Sequence, residues 1–222
     1  MASAVVAGVA IGTNGRLIAD DKQEEPTQVD RELINKFVGK SHGDIDAVKA
    51  MLKEEPSLVK AAWDWGAGDF ETGLNAASHV GRREIAELLL EKGAILDAPA
   101  AVMLGLKSVV AEMLKVYPKL HAVPGAHEIP LLSHAILGGK QAAEVFELLL
   151  DAGANVNAKS KQKMTPLMAA ASKGDVSQLN TLLRYGANHH AKDFKGRTAM
   201  DMAVKRDNKA CIQSLKRAQG MR

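Results

Sequence analysis

Aromatic residues are scarce in this chain: Phe, Trp and Tyr together make up 4% of its 222 residues. A deep globular centre built on rings is thereby excluded. Leu, Ala, Val and Met must form the core, which suits thin layers of paired helices. A single cysteine, Cys211, excludes an internal disulfide framework and any multi-cysteine metal site. Beside Ile212 in a helical pattern it reads as a small buried apolar group. Charge of one sign is lacking as well, since the formal net charge is +3, and near balance argues for no nucleic-acid partner. The apolar stretch at residues 4–11 is too short to span a bilayer. The catalytic signatures are missing in turn. There is no Gly-rich phosphate loop followed by Lys-Ser/Thr, no G-x-S-x-G, no H-E-x-x-H and no spaced Cys/His set. The sequence therefore nominates no catalytic residue, no cofactor and no metal ligand, and the expectation is a protein that is not an enzyme.

What is present is periodicity. The stretch TPLMAAASKGDVSQLNTLLRYGANHHAKDFKG, residues 165–196, reads as one structural unit. TPLMAAA gives a short helix with a nearly all-alanine inner side, so that a second helix can approach closely. Gly174 breaks it, and Asp175 is placed to cap the next helix by accepting backbone N–H groups. Val176, Leu179, Leu182 and Leu183 recur at helical spacing on one face. Gly186 supplies the left-handed residue that ends the second helix. ANHHAKDFKG then forms an extended connection to Thr198-Ala199-Met200, and Thr165 and Thr198 stand 33 residues apart. That period and that motif resemble the ankyrin repeat family, in the manner of bacterial ankyrin repeat domain proteins.

The same unit can be followed along the chain. Leu33, Ile34, Phe37 and Val38 form the inner side of a first helix. Gly43-Asp44 repeats the turn of Gly174-Asp175, and Ile45, Val48, Met51 and Leu52 give the second helix, which Pro56 stops. Thr72-Gly73-Leu74 stands where Thr-Pro-Leu belongs. Gly43 and Gly81 lie 38 residues apart, about five more than one period. The surplus falls in the connection, making a long finger that holds both tryptophans. Gly81 and Gly105 are only 24 apart, so a finger is missing or vestigial in the third unit. The fourth unit opens at Ile129-Pro130-Leu131, with His134 in the position of the motif histidine of T-P-L-H-x-A. Residues 198–222 carry basic side chains on their polar sides, as a terminal cap does when nothing stacks beyond it.

The fold expected from the resemblance is all-α: an ankyrin repeat solenoid of about six helix-turn-helix units with hairpin fingers, the third finger missing or vestigial. Residues 29–217 form the repeat domain, residues 1–28 a tail and linker, and residues 218–222 a C-terminal tail. Two readings of the N-terminus stand: a trimmed export signal, favouring a bacterial periplasmic or exported protein, or an incidental tail on a cytoplasmic one.

The resemblance implies a module that binds another protein through finger tips and the concave face, as a monomer, without nucleic acid or a membrane span. The contact residues expected on that basis are Trp63, Trp65, Asp69, Phe70, His79, Lys161, Lys163, His189 and Phe194. Trp63 and Trp65 either cover the edge of the first unit or anchor a partner, because Trp contributes large, rigid buried area at interfaces. His79 either serves the structure or faces the concave side. His134 is expected to tie adjacent units through backbone hydrogen bonds. His189 and His190, adjacent on an extended finger, should point in opposite directions and so not share an ion. Glu54-Glu55 is a paired carboxylate at a helix end, expected to be solvated. Residues 193–222 hold eight Lys/Arg against three Asp/Glu, a solvated basic face rather than a nucleic-acid reader. The missing third finger suggests two separated contact patches. An exported accessory protein without a stable partner, or a metal-binding or hydrolytic protein using finger histidines, are the alternatives.

Overall fold

A computed structural model describes residues 29–220; the export-signal reading of the N-terminus lies outside them. The described residues form six helix pairs in sequence order. They are α1 (Arg31–Ser41) with α2 (Ile45–Glu54), α3 (Gly73–His79) with α4 (Arg83–Glu91), and α5 (Ala98–Met103) with α6 (Lys107–Val116). Then follow α7 (Leu131–Gly138) with α8 (Ala143–Asp151), α9 (Pro166–Lys173) with α10 (Val176–Arg184), and α11 (Ala199–Lys205) with α12 (Lys209–Ala218). The first helices stack in one row, α1 on α3 on α5 on α7 on α9 on α11. That row is possible because its inner positions are small: Ala76, Ala77, Ala100, Ala101, Ala135, Ala170, Ala171 and Ala203 are fully buried. The larger apolar side chains, among them Leu89, Val110, Leu149, Leu179 and Leu182, come from the second helices and are also fully buried. Each such side chain contributes about 1.5–3 kcal/mol of burial. The core is continuous along the stack, with Phe37 to Leu104 grouped at one end and Ala101 to Leu215 at the other.

The expected caps are in place. Asp44 and Asp175 accept the backbone N–H groups of Ala47 and Gln178 at 3.1 and 3.0 Å. Gly174 is left-handed at φ 84°. Thr72 and Thr198 each form a reciprocal capping box, with Asn75 and Asp201 respectively. Gly73 stands in the proline position of its motif because the stacking leaves no room: a Cβ there would lie 2.8 Å from the Phe37 ring and from Ser41 Oγ.

The long finger is a true two-stranded hairpin, β1 (Ala62–Asp64) and β2 (Phe70–Thr72), antiparallel with Trp63 opposite Glu71 and Asp64 opposite Phe70. No hairpin joins α4 to α5, where a short connection runs directly to Asp97, which caps α5 through Ala100 N. The two-patch expectation that followed from this missing finger is corrected by the structure. The β1–β2 hairpin reaches past the gap to the segment before α7, where Asp69 Oδ1 accepts the His127 backbone N–H at 2.8 Å. From there the fingers are tied in series: Lys161 N donates to His127 O at 2.9 Å, and Phe194 N donates to Gln162 O at 3.0 Å. One continuous edge results.

Candidate functional site

Between that finger edge and the row of first helices runs a groove of about 1030 Å³, lined at one end by His42, Trp65, His79 and His127 and at the other by Lys173 and Asn208. Its walls follow from the repeat. The fingers stand off the first helices at each unit, and residues at the C-terminal ends of those helices face the gap.

The head of the groove is built around Glu71. Its place on β2 turns the side chain inward, and it is fully buried. Trp65 Nε1 donates to Glu71 Oε2 at 2.6 Å. The other oxygen, Oε1, faces three imidazoles: His79 Nδ1 at 3.0 Å, His127 Nε2 at 3.4 Å and His42 Nε2 at 3.6 Å. His42 caps α1, His79 ends α3, and His127 lies in the turn before α7. Two helix ends, a turn and one finger thus deliver one side chain each to a common point.

Neighbouring acceptors fix the tautomers of two of these rings. His42 Nδ1–H donates to the carbonyls of Val38 and Gly39, at 3.0 and 3.2 Å. His127 Nδ1–H donates to Asp69 Oδ2 at 2.7 Å. In both rings the nitrogen left over, Nε2, is the one that faces Glu71. The approach of His79 Nδ1 to Glu71 Oε1 is close but out of line, and neither atom has an aligned hydrogen-bond partner among the described residues. Burial pushes the Glu71 carboxyl upward. The His79 imidazole, the Trp65 indole N–H and His42 outweigh it, and Glu71 is held below its ordinary value. Asp69 behaves alike: burial raises it, while hydrogen bonds from Lys161 and from the backbone and ring of His127 bring it down to about 2. Both carboxylates are ionised at neutral pH.

The nominated contact residues divide into two groups. Phe70 and Phe194 are exposed, 62% and 58%, as are Lys161 and Lys163 on the fingers. Trp65 is 47% exposed while its indole N–H is used inward. Trp63 is half-buried against the first unit, with the Arg31 guanidinium 5.6 Å from its ring, so it covers that unit while Trp65 opens to the groove. Asp69 and His79 are turned into the cluster, each side chain 9% exposed. Lys161 also pairs with Asp69 at 2.9 Å.

His189 is half-buried, and the expectation that it diverges from His190 is corrected. The two rings lie with centroids 4.1 Å apart, because this segment is a turn rather than an extended strand. His134 is buried, and the expectation that its ring ties adjacent units through backbone hydrogen bonds is corrected, since its ring nitrogens form no aligned hydrogen bond among the described residues. Burial lowers its pKa to about 3, the neighbouring His79 adding to this and the Ser78 backbone opposing it.

Sequence reasoning nominated His79 and Asp69 and missed Glu71, His42 and His127. Glu71 follows Phe70 in an alternating strand, so its inward direction was legible once the finger was taken as a hairpin. His127 lies in a stretch without helical periodicity and carried no such signal.

Residues 132–221 match the family model for ankyrin repeats in three copies. Similar sequences include a protein of Acanthamoeba polyphaga mimivirus named as an ankyrin repeat protein, 35% identical over 77 residues, 35% of this chain and 48% of that protein. A second is an L-asparaginase of Dirofilaria immitis, 37% identical over 71 residues, 32% of this chain and 12% of that one. A third is a protein of Oryza sativa subsp. japonica named as an E3 ubiquitin-protein ligase, 36% identical over 73 residues, 32% of this chain and 16% of the other. The chain thus matches about half of the first relative and less than a fifth of the other two. None of the three is bacterial in source. The matches identify ankyrin repeats in residues 132–221, and the six stacked helix pairs fit an all-α ankyrin solenoid. The histidine–glutamate cluster lies wholly before residue 132, outside the stretch that matches the family model.

Proposed function

We propose that this array binds an acidic segment of another protein along the groove, with no chemistry needed for that role. Ankyrin repeats serve generally as protein–protein interaction modules, which supports the coarse reading. The observation that carries the finer one is the finger edge beside the groove, which bears exposed rings and lysines and of which Trp65 lines the groove itself. Trp65, Phe70 and Phe194 stand along the finger edge at 47%, 62% and 58% exposure, against a chain that has only 4% aromatic residues. Lys159, Lys163 and Lys192 on the same fingers are exposed and form no ion pair among the described residues. Exposed rings supply rigid area, and unpaired lysines favour an acidic counterpart and speed its encounter. No described helix is long and apolar enough to cross a membrane.

The test is affinity capture with quantitative comparison between the native chain and two variants. Trp65→Phe combined with Phe70→Ser and Phe194→Ser trims the first ring and removes the other two; Lys159→Glu with Lys163→Glu and Lys192→Glu reverses the charge. A genuine partner is lost from both, and its binding to the native chain weakens as salt rises. A capture profile identical in all three would end this reading.

A further inference from the structure

We infer that His42, Glu71 and His79 form a binding site for a borderline divalent cation, Zn²⁺, with an open coordination position facing the groove. Sequence spacing gave no hint of it, because the donors come from three separate elements rather than from one motif.

The first argument is geometric. One donor atom from each of His42, Glu71 and His79 can be chosen so that all lie within 4.8 Å of one another. The nitrogens of His42 and His79 lie 3.6 and 3.0 Å from Glu71 Oε1. Ligands held about 2.0–2.1 Å from a tetrahedral Zn²⁺ are about 3.3 Å from each other. The two observed separations bracket that value, and since the third is bounded only by 4.8 Å, the two imidazoles close in around the ion as it binds.

The second argument is electrostatic. Glu71 Oε1 is buried and without an aligned hydrogen-bond donor, and His79 Nδ1 is buried without a partner in the same place. The Val38 and Gly39 carbonyls hold the His42 proton on Nδ1, and Asp69 holds the His127 proton on Nδ1. Lone pairs on both Nε2 atoms are thereby directed toward a carboxylate oxygen. Several acceptors converging on one point in a buried place are stabilised by a cation among them. The fixing of ring nitrogens by carbonyls and a carboxylate is also what holds ligating imidazoles in metal sites. Imidazole donors select Zn²⁺ and its neighbours over Mg²⁺ or Ca²⁺.

The third argument concerns access. His42, His79, Trp65 and His127 line the head of the groove, so an ion held by Glu71 has a path to solvent. His127 Nε2, 3.4 Å from Glu71 Oε1, stands beside the open position. The site stands apart from the partner reading, because ion binding is measured on the chain alone.

The experiment titrates the full chain, stripped with chelator and desalted, with Zn²⁺ by calorimetry, and with Co²⁺ by visible absorption. One equivalent binds with a Kd in the micromolar range or below. The Co²⁺ spectrum shows the intense bands of four- or five-coordination. Glu71→Gln, which keeps an acceptor for the Trp65 N–H, and His79→Ala each weaken binding by roughly tenfold or more. The pair His189→Ala with His190→Ala leaves it unchanged. Circular dichroism of each variant, helical as the native chain, separates loss of the site from loss of the fold. Absence of stoichiometric binding to the folded native chain would overturn the inference. So would binding that survives Glu71→Gln and His79→Ala, or binding abolished by the His189/His190 pair.

Discussion

Asp69 and His127, 58 residues apart in sequence, are joined twice: Oδ1 accepts the His127 backbone N–H at 2.8 Å and Oδ2 the ring N–H at 2.7 Å. This double bond bridges the gap left by the missing third finger. It sets the tautomer of His127 and links the hairpin to the rest of the finger edge. The finger side of the groove is one continuous edge because of it.

Asp69→Ala therefore destabilises the protein by about 2–3 kcal/mol, since it leaves a backbone donor and an imidazole without their charged acceptor. Urea denaturation at neutral pH checks this through the midpoint. In a double-mutant cycle with His127→Ala, a coupling of about 1 kcal/mol or more is expected, because the two side chains touch. A coupling near zero would mean that the edge holds without the bridge.

Trp65 is 47% exposed on the groove side while its indole N–H is bonded inward to Glu71. Trp65→Phe keeps the ring but removes the donor that satisfies Glu71 Oε2. A loss of about 1–3 kcal/mol in stability is expected from the buried carboxylate oxygen so exposed. Trp63→Phe, by contrast, gives up packing and the Arg31 contact, and costs stability without altering capture of a partner. Equilibrium denaturation followed by circular dichroism reports the first, and the capture comparison the second.

Gly105 ends α5 with φ 71°, and a Cβ there would lie 2.1 Å from the Gln141 carbonyl oxygen of the next unit. Gly105→Ala meets both a left-handed backbone and a backbone clash that no side-chain rotation relieves. A cost above about 2 kcal/mol is expected, larger than the ordinary glycine-to-alanine strain of about 1 kcal/mol. Thermal melts compare it with Gly186→Ala, where no atom lies within reach and only the φ of 80° opposes the change.

His134 makes stability depend on pH. Its folded pKa of about 3 lies below the unfolded value of 6.5, so between these values the unfolded chain binds a proton that the folded one refuses. The contribution is complete above pH 6.5 and is lost as pH falls toward 3. At about 1.4 kcal/mol per pH unit, the native chain loses about 2 kcal/mol between neutrality and pH 5 through this one group. The check is urea denaturation at pH 7.5 and 5.0 with chelator present, for the native chain and for His134→Asn. Whatever the variant costs at neutral pH, its loss on acidification is smaller by that amount. Equal losses in the two proteins would contradict the assignment.

Much of the scaffold was legible in order along the chain. Alanines on first helices, leucines at helical spacing, and Gly-Asp or Thr caps are local signals, and each pair of helices obeys them because its contacts lie within one period or the next. Glycine spacing located the long finger and the absent one. The length of that finger did not reveal its reach, because the Asp69–His127 bridge joins residues almost two periods apart. Likewise His189 and His190 were misplaced because an extended connection was assumed where Asn188 Oδ1 accepts the His190 N–H and closes a turn.

The amino-acid sequence by itself determined the stack: a core of Leu, Ala and Val too thin for a globule, repeated often enough to bury itself against its neighbours. Only the tertiary structure decided what stands at the head of the groove. His42, Glu71, His79 and His127 are separated by no fixed spacing, and they meet because two neighbouring helix ends, a finger strand and the turn before α7 face one side of the same stack. Repeats write their own geometry locally, whereas a site between repeats depends on how the units are laid against each other.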